Sequence, residues 1–91
     1  MKEIDPKENT PEYLEQYAEQ IKDIVSANIK RCREAKGVSQ MDLALGIGLT
    51  GGAYLGRAEL RKENHHFNLS HIAKISKVLD VSIAKFFEAI D

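Results

Sequence analysis

Between positions 40 and 66 the chain carries a run of side chains suited to holding a polyanion: Gln40, Thr50, Tyr54, Arg57, Arg61, Lys62 and Asn64, with His65 and His66 beside them. Amides, hydroxyls and guanidinium groups donate hydrogen bonds to phosphate oxygens and base edges, and a guanidinium can do so in bidentate fashion. The same stretch lacks the parts of a catalytic centre. It offers no nucleophile with a matching base, no phosphate-cradling loop and no carboxylate pair placed to perturb one another. Adjacent histidines in a loop rarely converge on one metal ion, and no cysteine is near them in sequence, so a solvated or phosphate-facing role outweighs ligation. The chemistry implied is recognition, with no enzyme activity, metal or cofactor.

Two short helices must position these groups. Ser39 suits an N-cap, with Asp42 three residues on as the second half of a capping-box-like pair. Leu43, Ala44 and Ile47 then share one helical face, and Gly48 ends the helix where a left-handed residue is least costly. Thr50 is the expected cap of the second helix, with Tyr54, Leu55 and Ala58 facing inward. Such short helices bury too little to stand alone and need neighbours. A short helix, a glycine turn and a second short helix is the pattern of a helix-turn-helix, whose second helix enters a DNA major groove while the first crosses the backbone.

The pattern resembles the Xre/Cro-type family of bacterial and phage repressors. Those proteins open the motif with Gly-x-Ser-Gln-x-x-Leu-Ala, and Gly37-Val38-Ser39-Gln40-Met41-Asp42-Leu43-Ala44 fits it. Leu69, Ile72, Ala73, Lys74, Ile75, Leu79, Val81, Ser82 and Phe86 fit the family's two closing helices, so the likeness covers residues 25–91. It implies a five-helix, lambda-repressor-like all-α domain. It also implies that Gln40 contacts a phosphate and that Arg33 pairs with Glu59, tying the first and third helices together. Between Gly48 and Glu59 the chain is one residue longer than the family pattern. Placing the extra residue in the turn keeps Tyr54, Leu55, Ala58 and Glu59 in register, whereas a gapless alignment would bury Arg57.

The reading positions depart from the family. Where relatives carry Arg, Gln, Ser or Thr, this chain has Gly51, Gly52 and Ala53. Direct readout then falls to Thr50, Tyr54 and Arg57, with Ala53 able to meet a thymine methyl. Two glycines at the start of the helix would also weaken it by about 1 kcal/mol each. Arg61, Lys62 and Asn64, with His65 and His66, are the expected backbone contacts from the following loop.

Composition sets the frame. Ninety-one residues, 43% hydrophobic and 30% charged, suit one small soluble domain. No apolar run approaches a membrane span and no signal peptide opens the chain, so no membrane partner is expected. The single cysteine, Cys32, suits a small hydrophobe in a reducing cytoplasm. The net charge of -1 hides an uneven distribution. Residues 1–24 hold three Lys against seven Asp/Glu, and residues 25–91 hold ten Lys/Arg against seven Asp/Glu. An acidic leader precedes a mildly basic domain, a division compatible with DNA binding.

Three segments follow: a polar, aperiodic tail over 1–10, a helical extension over 11–24, and the main domain over 25–91. Thr10-Pro11-Glu12 reads as a helix start. The stripe from Tyr13 through Cys32 fits either one long helix or two that break near Asp23 to Ser26. Tyr13, Leu14 and Tyr17 are expected to pack on the domain's own core, with a dimer contact through Tyr13 and Tyr17 as the alternative. Asn68 caps a helix with Leu69, Ile72, Ile75, Ser76 and Leu79 inward. Ser82 caps a last helix bearing Ile83, Phe86, Phe87 and Ile90, the expected dimer surface. Its Phe-Phe-Glu ending resembles the small controller proteins of restriction-modification systems.

The expected function is a sequence-specific, homodimeric DNA-binding transcriptional regulator, a repressor on a palindromic operator of double-stranded DNA. The alternative is a protein-interaction module, or an antitoxin, that kept the fold with little base readout. Gly51, Gly52 and Gly56 with the acidic extension motivate it.

Overall fold

The computed structural model describes residues 9–90. Among them are four α-helices and no strand: α1 (Pro11–Ala35), α2 (Gln40–Gly46), α3 (Ala53–Glu59) and α4 (Leu69–Leu79). Two 3-10 turns follow α3 and α4, at Lys62–Asn64 and Ile83–Phe87. Of the polar tail expected over 1–10, residues 1–8 lie outside the described residues. Among the described residues no helix is long and apolar enough to cross a membrane.

Three of the four helices start on a side-chain cap. Thr10 Oγ1 accepts from the Tyr13 N–H at 3.2 Å, Ser39 Oγ from Asp42 at 3.0 Å, and Asn68 Oδ1 from His71 at 2.7 Å. Each satisfies one of the amides that a helix start leaves without an intrahelical partner. The fourth start differs from the expectation. Gly52, not Thr50, is the N-cap of α3, and no side chain caps it. Gly51 and Gly52 therefore precede the helix and do not weaken its interior. At the end of α2, Gly48 takes φ +92°, a conformation that a side chain would strain.

The stripe from position 13 forms one uninterrupted helix of 25 residues. The expected extension over 11–24 and the start of the main domain are thus a single rod. The core lies against its second half, where Val25 and Ile29 meet Leu43, Leu55, Phe67, Ile75 and Phe86, with Cys32 packed at the edge. Tyr13, Leu14 and Tyr17 do not pack on this core. They are 52%, 50% and 54% exposed, because the core ends near Ile21 and α1 runs almost three turns beyond it.

The chain's end also departs from the expectation. Among the described residues no fifth α-helix forms, and the Ser82 side chain makes no capping bond. Asn28 Nδ2, buried on α1, donates to both Phe86 O and Glu88 O at 2.9 Å. These carbonyls, which a continuing helix would direct along its own axis, are turned toward α1 instead. Phe86, expected at a dimer surface, is fully buried in the core, while Ile83, Phe87 and Ile90 remain exposed. Leu69 is another correction: at the first position of α4 it is 72% exposed, and Phe67, in a loop that reads as polar, fills the core in its place.

Asn28→Ala removes both bonds to the terminal segment. It should lower unfolding stability by about 2 kcal/mol, measured by urea denaturation. Amide exchange should accelerate over residues 83–88 more than in α4.

Candidate nucleic-acid interface

Three helices meet at one carboxylate. Glu59, the last residue of α3, has a fully buried side chain. Arg33 of α1 donates to it twice, from Nε to Oε2 at 2.6 Å and from Nη2 to Oε1 at 3.0 Å. Gln40, the first residue of α2, donates from Nε2 to the same Oε1 at 3.0 Å. The remaining guanidinium amine of Arg33, Nη1, reaches Val38 O at 2.8 Å, tying down the segment that leads into α2. A charge withdrawn from water is stable only with such bidentate and auxiliary bonds. The hydrogen bond to Glu59 pushes the Arg33 pKa above its already high value, against the opposing pull of burial.

This node places Gln40 between two roles. Its amide nitrogen already donates to Glu59, so one of its two N–H groups is committed inward. Gly56 makes the approach possible, since a Cβ there would meet Gln40 Oε1 at 3.3 Å. The backbone of α3 thus lies close against the start of α2, at the one interior glycine of that helix.

On the outer side of the same junction lies an open groove of about 550 Å³. Gln40 and Met41 from α2, Gly52, Ala53, Gly56, Arg57 and Leu60 along α3, and Lys62 beyond it form its walls. Ala53, Gly56 or Arg57, and Leu60 repeat at helical spacing, so they form one edge of α3, opposite the buried Leu55, Ala58 and Glu59. Arg57 and Lys62 are its charges, and among the described residues no carboxylate lines it.

Several expected contacts lie elsewhere. Thr50 is exposed in the turn, with Gly51 half-buried beside it. Tyr54 faces the following loop: its hydroxyl donates to His66 O, and its ring meets His65 edge-on and tilts against His71. Burial pushes the Tyr54 pKa up. Arg61 turns away from the groove, with its side chain only 13% exposed. It pairs with Glu19 through Nη2, donates to Asp23 Oδ1 at 3.0 Å through Nε, and reaches His65 O at 3.2 Å through Nη1. The acidic side of α1 thereby holds a cation expected to face phosphate. Lys62 and Asn64 remain exposed.

Three residues at or beside this surface, Met41, Leu60 and His71, had no functional place in the sequence reading, and His65 was expected there only as a solvated or phosphate-facing loop residue. Met41 and Leu60 line the groove, and their exposure gave no periodic signal. His65 accepts from Arg57, and the His71 ring tilts against Tyr54; both pairings depend on how the loop folds back. That loop carries three left-handed residues, Arg61, Glu63 and Asn64, an uncommon backbone for non-glycine residues that no local pattern announced. Among the described residues no three His, Cys, Asp or Glu groups are placed to hold a metal ion. The chain matches no family model, no curated protein and no solved structure.

Glu59→Gln leaves Arg33 buried without its counter-charge. It should cost about 3 kcal/mol of stability by chemical denaturation, and adding Arg33→Met should recover part of that loss. His71 gives a second expectation. Burial, helped by the charge of Lys74, lowers its pKa, so the folded state prefers the neutral ring. Its contribution is whole above the ordinary imidazole value of about 6.5 and is lost as pH falls through the lower folded value. Thermal unfolding of His71→Gln should accordingly lose less stability than the parent between about pH 6.5 and pH 5.

Proposed function

We propose that this chain is a sequence-specific DNA-binding regulator of the Xre/Cro helix-turn-helix type, with α2 and α3 as the motif in a lambda-repressor-like domain. The observation that carries the reading is the groove at the α2–α3 junction. An exposed helix edge lies beside the first turn of a second helix, flanked by Arg57 and Lys62 and free of carboxylates. A recognition helix needs an edge slim enough to enter a major groove and cations beside it to meet phosphate. Ala53 and Gly56 provide the slim edge, and Arg57 is the one residue on it able to make a bidentate bond to a base. Gln40, at the start of α2, retains a second amide hydrogen for a phosphate. Ala53 suits a thymine methyl, while Thr50 and Asn64, both exposed, are positioned by the loops on either side.

As a homodimer on a palindromic operator, the protein would present two such edges one helical turn apart. Ile83, Phe87 and Ile90 at one end and Tyr13 and Tyr17 on α1 are exposed apolar side chains available to a second copy. A cytoplasmic repressor is the simplest setting for such a chain.

A second reading, a protein-interaction module or antitoxin, is favoured by a specific observation. Met41 and Leu60, both about half exposed, flank the groove, and Gly52, Ala53 and Gly56 offer no side-chain hydrogen bond. Such a surface would also accept an apolar protein segment.

Selection from a random duplex library separates the two. The DNA reading expects a palindromic winner whose affinity falls steeply as salt rises. Arg57→Ala should then relax preference at one position by about 1–3 kcal/mol, whereas Lys62→Ala should weaken all duplexes alike and reduce the salt slope by about one. No enrichment and no binding at low salt would leave the interaction module as the reading.

A further inference from the structure

The reading of the α3 edge as a DNA-contacting surface leaves one question of chemistry: what aims Arg57. The side chain of Arg57 donates from Nε to His65 Nε2 at 3.4 Å. An arginine Nε–H can only donate, so His65 Nε2 must carry a lone pair. The other ring nitrogen, Nδ1, lies 2.9 Å from Lys62 O, which can only accept. Both constraints select one species, the neutral imidazole with its proton on Nδ1. The backbone N–H of His65 also donates to Lys62 O at 2.9 Å, so ring and backbone are fixed to the same carbonyl. The two terminal amines of Arg57 have no protein partner among the described residues and are the pair that a guanine edge requires.

From this geometry we infer that His65 is the positioning residue for Arg57, and that its protonation state sets the specificity of the site. In the neutral form His65 holds Nε and leaves the terminal amines aimed outward. A second proton turns Nε2 from acceptor into donor and sets two cations against each other. Arg57 then loses its fixed direction while the surface gains a positive charge. Base discrimination and non-specific affinity therefore move in opposite directions on acidification, which a uniform gain of charge would not produce.

The groups facing His65 are consistent with this behaviour. From α3 it meets Arg57 and the edge of the Tyr54 ring. From its own loop it meets the Lys62 carbonyl, and its own carbonyl accepts from Arg61, which is neutralised by Glu19 and Asp23 on α1. From α4, His71 lies on Tyr54, with Lys74 beside it. Among the described residues no carboxylate bonds to the His65 ring.

The test has two arms. Nitrogen-15 NMR of the free protein should show the Nδ1–H tautomer at His65, and an Arg57 Nε–H resonance that shifts as His65 titrates. In His65→Gln, whose side-chain oxygen keeps an acceptor without a titrating group, that shift should vanish. A mixed tautomer, or an Arg57 signal indifferent to His65, would overturn the inference and leave the DNA reading intact. In the second arm, the ratio of affinities for the selected duplex and a scrambled one is measured at about pH 7.5 and about pH 5.5, which bracket imidazole protonation. The parent ratio should fall by about 10-fold, the scale of one bidentate base contact. The ratio for His65→Gln should hold nearly constant, and Arg57→Lys should show a low ratio at both values. A parent and His65→Gln that lose specificity together would assign the effect to His66 or His71 and overturn the inference. A parent that selects no duplex at all would instead defeat the DNA reading, a result visible before any variant is compared.

Discussion

The side chain of Glu59 is wholly withdrawn from water, and Arg33 of α1 with Gln40 of α2 supplies the three hydrogen bonds that make this tolerable. Isolated helices of seven residues, the length of α2 and α3, are not stable in water. Each needs a fixed neighbour, and the carboxylate at the end of α3 provides one for both. Because a bidentate pair has a narrow geometry, it sets the orientation of α3 as well as its proximity. Apolar burial of Leu43, Leu55 and Ala58 drives these helices together, but burial alone is not directional. The ion pair and the Gln40 bond supply the missing direction.

The surface character of the domain follows from that constraint. Drawing Glu59 inward removes the one carboxylate of α3 from solvent, so its exposed edge keeps only Arg57 and, just beyond, Lys62. On the other side, Glu19 and Asp23 of α1 bind Arg61 and lie against the loop that follows α3. The acidic half of α1 therefore has a structural use: it fixes one end of the loop whose other residues, His65 and His66, hold Arg57 and Tyr54. The modest net charge of the whole chain conceals this division into a carboxylate-rich helix and a groove free of carboxylates.

Local signals in the sequence were legible wherever a feature depends on neighbours a few residues apart. The caps at Thr10, Ser39 and Asn68 and the inward face of Leu43, Ala44 and Ile47 are of that kind. The all-helical character follows from them. What escaped depends on partners far along the chain. The last segment stops short of an α-helix because Asn28, 58 residues before Phe86, takes its carbonyl. Arg61 reads as a free loop cation until α1, about 40 residues earlier in the chain, is laid against it. Phe67 stands alone among polar residues and has no periodicity to mark it as core. Tyr13, Leu14 and Tyr17 show the opposite failure: the stripe is correct as a helical face, but a pattern cannot say where the core beneath it ends. The candidate site was legible as a stretch, not as a surface, because the pairings of Tyr54 and Arg61 arise from tertiary folding.

The proposed DNA-binding face is the junction of α2 and α3, held by Glu59. Amide chemical-shift mapping of the labelled protein against a selected duplex tests it most directly. The largest changes should fall on Gln40, Met41, Gly52, Ala53, Gly56, Arg57 and Lys62, with residues 11–20 of α1 nearly unmoved. Changes concentrated instead on Tyr13, Leu14 and Tyr17, with the α3 edge silent, would contradict it.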